Sequence, residues 1–335
     1  MRAPEFWHRD PGLLAALLTP ASAVWSCAAS LHATLSRPYR APIPVACVGN
    51  LVAGGSGKTP VAISLTRSLT ERGIAAHIVS RGYGAALTGV VRVRPEAHDA
   101  EAVGDEHLLL ARDAPCWIGR DRAMTIRAAV AAGAEAILLD DGYQNPTVAK
   151  DFSLLVVDAA YRFGNGHVIP AGPLRERIET GLARADAIVW LDSPAEPGRE
   201  PPSHIANGGP PVLRASLVPL LGDRLAGEAF YAFAGIGRPE KFFAAFRALG
   251  ARLVGTRSFP DHHRFRAGEI EDLRREAARR NARLITTAKD MARLRGTQRA
   301  GIDVLEVEIR WHDPAAVSAL VSGFAVSAGD GRQQS

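Results

Sequence analysis

The stretch Gly54–Thr59, which reads GGSGKT, restricts the possible folds of this 335-residue chain more than any other feature. It follows an apolar run at 43–49 that predicts a buried strand, and it precedes a helical pattern at 59–72. This succession directs backbone N–H groups and a helix N-terminus at one point, an arrangement that suits phosphate oxygens. The usual pattern begins with glycine at the place of Val52. We predict a phosphate-binding loop; the alternative is a glycine turn that binds nothing.

The loop assigns roles to its last two residues and calls for an acid nearby. Lys58 is expected to reach the β- and γ-phosphates of a nucleotide, and the Thr59 hydroxyl to bind Mg²⁺. Asp140 and Asp141 follow an apolar run at 136–139 and can supply the metal-side carboxylates, although adjacent acids are often only a helix cap or loop charge. The predicted nucleotide-binding residues are Ala53, Gly54, Gly55, Ser56, Gly57, Lys58 and Thr59, and the predicted metal ligands are Thr59, Asp140 and Asp141.

Apolar runs alternate with helical periods along the rest of the chain, which indicates an α/β fold with a parallel sheet. The stretch 192–211 is rich in Pro, Gly and Ser and is either a domain boundary or a surface excursion. A smaller α/β unit without a second glycine loop is predicted after it, its last strand at 303–309. The predicted organisation is an N-terminal helical segment at 1–40, a P-loop domain at 41–226, a smaller α/β domain at 227–326 and a disordered tail at 327–335.

The segment between Asp10 and Arg37 contains no Asp, Glu, Lys or Arg. Pro20 and several Ser and Thr make it a poor spanning helix, although it has the ~20 residues that a span requires. We predict a helix that lies in a membrane interface. A core helix and a secretory signal or true span are the alternatives.

The charge of +5 does not indicate a nucleic-acid surface, because the basic residues are scattered without a block or interleaved aromatic residues. Neither nucleic acid nor a protein partner is predicted. The three cysteines are far apart and lack C-x-x-C spacing, which argues against a disulfide framework or a zinc site and fits a reducing compartment.

Further candidate residues are weaker on their own. Asp105 lies in the first turn of a predicted helix, where the macrodipole alone favours acids, but it can also be a general base. FPDHHRF at 259–265 offers His262 as a metal ligand, a solvated loop residue or a functional group that faces the nucleotide domain. Arg122 and Arg175 are either solvated or face an anionic substrate.

Taken together, these residues resemble one family, the tetraacyldisaccharide 4′-kinases of lipid A biosynthesis. The resemblance covers nearly the whole chain in order, through GNLVAGGSGKTP, SRGYG, GDE, LLDDGYQNP, PAGPLRE, FAGIGRPEKFF, FPDHH and TTAKD. DDG-x-Q and FPDHH are the specific parts. In that family the first glycine of the loop is often absent, so Val52 matches a family trait.

The resemblance implies transfer of the γ-phosphate of ATP, with Mg²⁺, to the 4′-hydroxyl of an acylated glucosamine disaccharide 1-phosphate. It also implies work at the membrane surface, on the cytoplasmic face of the bacterial inner membrane. Lys58, Thr59, Asp140 and Asp141 match the family's phosphate and Mg²⁺ ligands, Asp105 matches its catalytic acid, and His262 matches the histidine partner of that acid. Asn145 replaces a histidine of many members.

Two rival classes fit the sequence less well. Partition ATPases carry a signature lysine before the glycine pair, where this chain has Ala53. A GTPase needs an N-K-x-D-like motif that reads the base, and TTAKD at 286–290 is the nearest match.

Overall fold

The computed structural model describes residues 4–192, 198–206, 208–220 and 227–330. A nine-stranded sheet has the order β13-β8-β7-β6-β1-β5-β2-β4-β3. Its interior pairs are parallel, and only the edge strands β3 and β13 pair antiparallel. The strands are β1 (Val45–Gly49), β2 (Ala76–Ser80), β3 (Val91–Arg92), β4 (Cys116–Ile118), β5 (Ala136–Asp140), β6 (Phe152–Asp158), β7 (Ala187–Asp192), β8 (Val212–Pro219) and β13 (Val307–Trp311).

Helices cover both faces of this sheet, since two separate clusters of buried apolar side chains flank it. The central position of β1 between β5 and β6 brings the loop after β1 next to the acids that end β5. The helices of this unit are α1 (Leu13–Leu35), α2 (Lys58–Thr70), α3 (Ala100–Val103), α4 (Asp105–Leu110), α5 (Arg122–Ala131), α6 (Ile178–Leu182), α7 (Ser203–Ala206) and α11 (Pro314–Asp330).

A second, four-stranded parallel sheet has the order β10-β9-β11-β12. Phenylalanines dominate its two cores, with Phe230, Phe243 and Phe246 on one face and Phe233 on the other. Its elements are β9 (Ala229–Ala234), α8 (Pro239–Ala248), β10 (Arg252–Ser258), α9 (Ala267–Arg279), β11 (Arg283–Thr287), α10 (Ala288–Arg293) and β12 (Ile302–Leu305). The α/β class and the smaller second unit agree with the sequence prediction.

The chain returns to the large sheet after Leu305. The single strand predicted at 303–309 is two strands that separate at Glu306: β12 completes the small sheet, and β13 pairs antiparallel with β8. Helix α11 then packs Val317 and Val321 into the core of the large unit. The small unit therefore ends near 305 and not at 326, because an alternating pattern does not encode which sheet each half joins.

Other predicted boundaries have mixed outcomes. The stretch 192–211 is a surface excursion, since β7 and β8 on either side of it pair directly; 193–197 and 207 lie outside the described residues. The predicted boundary at 226 also lies outside them. Of the tail predicted to be disordered, 327–330 belong to α11 and 331–335 are not described.

Helix α1 lies on the large unit and exposes an apolar stripe. Ser22, on its inner face, donates to the Val168 carbonyl at 2.7 Å, and the Trp25 indole donates to the Arg175 carbonyl at 3.1 Å. On a helix of 3.6 residues per turn the outward positions lie within about 40° of one another. These positions are Leu13, Leu17, Val24, Leu31 and Leu35, all of them exposed. A core helix, one of the three alternatives, is therefore wrong.

Candidate active site

The glycine loop connects β1 to α2 in the predicted geometry. Gly54 and Gly57 have positive φ angles of 122° and 84°, which side chains rarely adopt, and Gly57 is the N-cap of α2. The first-turn N–H groups of α2 have no intrahelical acceptor and point into the loop. Val52 is buried and forms an isolated antiparallel bridge with Leu174, so a side chain belongs at this position.

Lys58 reaches across the loop to the acids of β5. Its Nζ lies 3.6 Å from Asp141 Oδ1 and donates to Asn50 Oδ1 at 3.2 Å. Asn50 is fully buried directly after β1, and its amide donates to the Gly54 carbonyl at 3.4 Å. Sequence reasoning missed Asn50, although its place between strand and glycine loop is a signal that a polar side chain there would touch the loop.

The two predicted metal-side acids have opposite environments. Asp140 is buried, and burial together with the nearby Glu106 carboxylate raises the pKa of Asp140 to about 7. Burial also opposes ionisation of Asp141, but Lys58 and Arg175 outweigh it and lower the pKa of Asp141. Arg175 grips Asp141 through two hydrogen bonds of 2.8 and 3.2 Å. Asp141 is thus a fixed anion, whereas Asp140 forms no salt bridge with a described residue and feels Lys58 only as a nearby charge.

Buried oxygens without partners test whether phosphates and a metal ion fit here. In the described part of the chain, Ser56 Oγ and Asp140 Oδ1 are buried and have no hydrogen-bond partner. Such atoms cost free energy unless a ligand satisfies them. Both lie where the nucleotide phosphates and their Mg²⁺ were predicted, so the residues fit both groups.

The two arginines predicted to face the substrate instead contact Asp141 in this structure. Arg122 is buried and donates to the Asp141 carbonyl at 3.1 Å, while Arg175 holds the Asp141 carboxylate. Both side chains also line the large cavity between the two units. Their role in substrate binding therefore remains a prediction.

Asp105 and His262, from different units, meet in this structure. His262 Nδ1 lies 3.5 Å from Asp105 Oδ1. Asp105 begins α4 and is buried; burial raises its pKa, but the His262 hydrogen bond and the Arg293 charge dominate and lower it. The hydrogen bond to Asp105 raises the pKa of His262 despite partial burial.

The two partners differ in access to the cavity. His262 is half-exposed and lines it, whereas Asp105 is not among the described residues that do so. Arg293 occupies Asp105 Oδ2 through Nε, at 2.7 Å, and through Nη2. The adjacent His263 turns away, and its Nε2 donates to Glu269 Oε2 at 2.9 Å. The exposed imidazole edge of His262 is therefore the part of this pair that a substrate can reach.

Two further ion-pair clusters join the units beside the site, and sequence reasoning missed both. The buried Asp158, at the end of β6, accepts from Arg238 at 3.0 Å and from Lys241 at 2.8 Å. Arg238 also lies 3.4 Å from the Gly55 carbonyl of the glycine loop. On the opposite side, Lys289 pairs with Glu106. The small unit thus contacts the glycine loop through Arg238.

The chain is similar to one family of known proteins in sequence and to a solved structure in fold. The family model described as tetraacyldisaccharide-1-P 4′-kinase matches residues 14–325. Tetraacyldisaccharide 4′-kinases of Rhodospirillum centenum and Rhodospirillum rubrum are each 50% identical to this chain; the first alignment covers 96% of both chains, and the second 96% of this chain and 97% of the relative. A solved structure of LpxK from Aquifex aeolicus in complex with ATP superimposes with a TM-score of 0.74 at 24% identity, covering 93% of this chain and 99% of that one.

Proposed function

The chain belongs to the tetraacyldisaccharide-1-phosphate 4′-kinase family, and on this premise we propose how its residues divide the work of the reaction. The protein is an ATP-dependent kinase of lipid A synthesis that phosphorylates the 4′-hydroxyl of the acylated disaccharide 1-phosphate. Phosphoryl transfer requires alignment of donor and acceptor, neutralisation of charge and a group that accepts the hydroxyl proton. Each requirement has a candidate in the cavity between the units.

The loop at 53–59 would hold the phosphates of ATP, with Lys58 at the β- and γ-phosphates. Thr59, Asp140 and Asp141 would hold Mg²⁺, which when bound neutralises charge on the phosphate oxygens. The unpartnered Ser56 Oγ and Asp140 Oδ1 support this assignment, since both need a partner that the described residues do not supply. Asp141 would act mainly by keeping Lys58 and Arg175 in place, because both cations contact its Oδ1.

His262 is proposed as the base that takes the proton of the 4′-hydroxyl, with Asp105 as its orienting partner. The single observation that carries this assignment is the 3.5 Å contact between a half-exposed imidazole and a buried carboxylate already occupied by Arg293. The sequence offers the reverse order, with Asp105 as the general base and His262, through the resemblance, as its partner. A carboxylate with a lowered pKa is a weak base, whereas an imidazole with a raised pKa accepts a proton more readily.

The site would work at a membrane surface. The exposed stripe of α1 offers apolar side chains to a bilayer, while hydrogen bonds from Ser22 and Trp25 fix the other faces to the protein. A helix held to the protein through Ser22 and Trp25 suits an interfacial position better than a span. His32 of α1 lines the cavity, which would place the site within reach of a lipid substrate on the cytoplasmic leaflet.

Kinetics of His262→Gln and Asp105→Asn test these roles with [γ-³²P]ATP and the disaccharide 1-phosphate in detergent. The loss of a general base predicts a fall in kcat of roughly 10²–10⁴-fold for His262→Gln, with little change in the KM for ATP. If the pair acts as a unit, the kcat of the double variant should be close to that of the less active single variant.

The pH dependence of Asp105→Asn supplies a second test. His262 must be neutral to accept a proton, so kcat of the parent falls as pH falls through the raised pKa of His262. Removing the Asp105 charge lowers that pKa, and the acid limb should move to lower pH. The paired action of Asp105 and His262 would be refuted if the two single-variant losses in kcat multiplied in the double variant. It would also be refuted if the acid limb of Asp105→Asn did not move.

A further inference from the structure

Arg293 ends α10 in the small unit and lies at the centre of the contact between the units. Its side chain is only 6% exposed. Nε donates to Asp105 Oδ2 at 2.7 Å, and Nη2 donates to the same oxygen. Nη2 also lies 3.4 Å from His262 Nδ1. One guanidinium therefore touches both members of the Asp105–His262 pair.

The opposite edge of the guanidinium is anchored within the small unit. Nη1 donates to the Gly235 carbonyl at 2.6 Å and to Asp290 Oδ1 at 3.0 Å. Asp290 is fully buried and is itself held by the Gly235 N–H at 3.0 Å and the Thr287 hydroxyl at 2.7 Å. A planar group gripped on one edge presents its other edge in a fixed direction.

This arrangement divides the Asp105 carboxylate between two partners. Oδ2 belongs to Arg293, which leaves Oδ1 as the oxygen that faces His262 Nδ1. We propose that Arg293 is a positioning residue of the kinase, which fixes the Asp105 carboxylate so that its second oxygen orients His262 towards the acceptor hydroxyl. The proposal rests on the role of His262 given above and adds a residue that the sequence motifs did not single out.

Arg293 also affects the charge balance of His262. The charged groups that face this imidazole are Asp105 from α4, Arg293 from α10 and Asp261 from its own loop, whose Oδ2 is 3.9 Å from Nε2. Asp105 and Asp261 favour the protonated imidazole, and Arg293 opposes it. A neutral residue at 293 should therefore raise the pKa of His262, the opposite of the effect of Asp105→Asn.

The experiment is the pH profile of kcat for Arg293→Gln at saturating ATP, Mg²⁺ and disaccharide 1-phosphate. Loss of the fixed carboxylate should lower kcat roughly 10- to 100-fold with little change in the KM for ATP. The acid limb should move to higher pH, while that of Asp105→Asn moves to lower pH. A purely structural arginine would lower activity without this opposed pair of shifts.

Arg295→Gln is the matched control, because Arg295 also reaches from the small unit to acids of the large one. It pairs with Asp99 at 2.9 Å and Glu101 at 2.7 Å, but it is exposed, and its ion pairs within the described chain are with these surface acids and not with the Asp105–His262 pair. This variant should keep the parental kcat and acid limb. If Arg295→Gln lost as much kcat as Arg293→Gln, the cause would be weaker contact between the two units, and the proposal would be overturned.

Arg293→Lys decides the question if Arg293→Gln does not fold. Lysine keeps the charge but lacks the planar fork, so kcat should still fall about 10-fold while the acid limb stays near that of the parent. Parental kcat in Arg293→Lys, or an unshifted limb in a folded Arg293→Gln, would overturn the proposal. Failure of the broader function would differ, since His262→Gln would then retain activity.

Discussion

The exposed stripe of α1 allows the proposed membrane association of this kinase to be tested quantitatively. Leu13, Leu17 and Val24 are 86%, 76% and 70% exposed, and they lie on one side of the helix. Burial of a fully exposed side chain of this size contributes about 1.5–3 kcal/mol, so these three would contribute about 4 kcal/mol in a bilayer. Replacing all three with glutamine should lower the partition coefficient roughly a thousandfold.

Sedimentation with vesicles that contain anionic lipid measures this coefficient. Glutamine has nearly the helix propensity of leucine, so α1 should persist, and circular dichroism checks that it does. Leu87→Gln with Met124→Gln is the control, since both side chains are exposed elsewhere on the large unit. If the triple variant sediments like the parent, the membrane contact lies outside this stripe. An equal loss in the triple variant and in the control would also contradict a specific role for the stripe.

Three further predictions concern the nucleotide site. Lys58→Ala should abolish phosphoryl transfer in a folded protein, because it removes the cation beside Asp141 and the phosphates; turnover near the parental rate would remove the loop from the mechanism. Gly57→Ala should weaken ATP binding measured by calorimetry, since its φ of 84° is strained for alanine and the added Cβ would overlap Leu191 Cδ2; equal affinity would contradict this geometry. Asp140, with its pKa raised to about 7, should bind Mg²⁺ more weakly as pH falls below 7, so Mg²⁺ should raise the Tm more at pH 8 than at pH 6. Equal shifts in Tm at the two pH values would exclude Asp140 as a ligand.

Local parts of this structure could be predicted from the sequence. The strand, loop and helix at 43–72 are specified by one apolar run, a few glycines and one helical period, and β1 and α2 lie there. Asp140 is the last residue of β5, which pairs with β1, and Asp141 follows it. Both acids lie beside the glycine loop after β1, because adjacent parallel strands present their carboxyl ends at one edge of the sheet. Their closeness to Lys58 follows from that topology.

Contacts between the units were beyond sequence reasoning. Arg293 lies in a six-residue helix whose pattern does not reveal that its guanidinium is buried against Asp105. The pairs of Asp158 with Arg238 and Lys241 join segments about 80 residues apart in the chain, and nothing local to either segment indicates the other. Asp105 and His262 themselves were matched through family resemblance, because the macrodipole alone explains an acid in the first turn of α4.

The position of α1 would connect the proposed membrane contact to the proposed metal-side acids through a short path. The Trp25 indole of α1 donates to the Arg175 carbonyl, and the Arg175 side chain grips Asp141, which lies beside Lys58. A helix fixed at the bilayer would therefore also fix the segment that holds Asp141 in place. Because acyl chains confine the acceptor to the membrane, a rigid connection between α1 and this segment would keep the phosphate donor at a constant depth relative to the acceptor hydroxyl. Such fixed geometry is what phosphoryl transfer demands of a protein, since most of its catalysis comes from alignment.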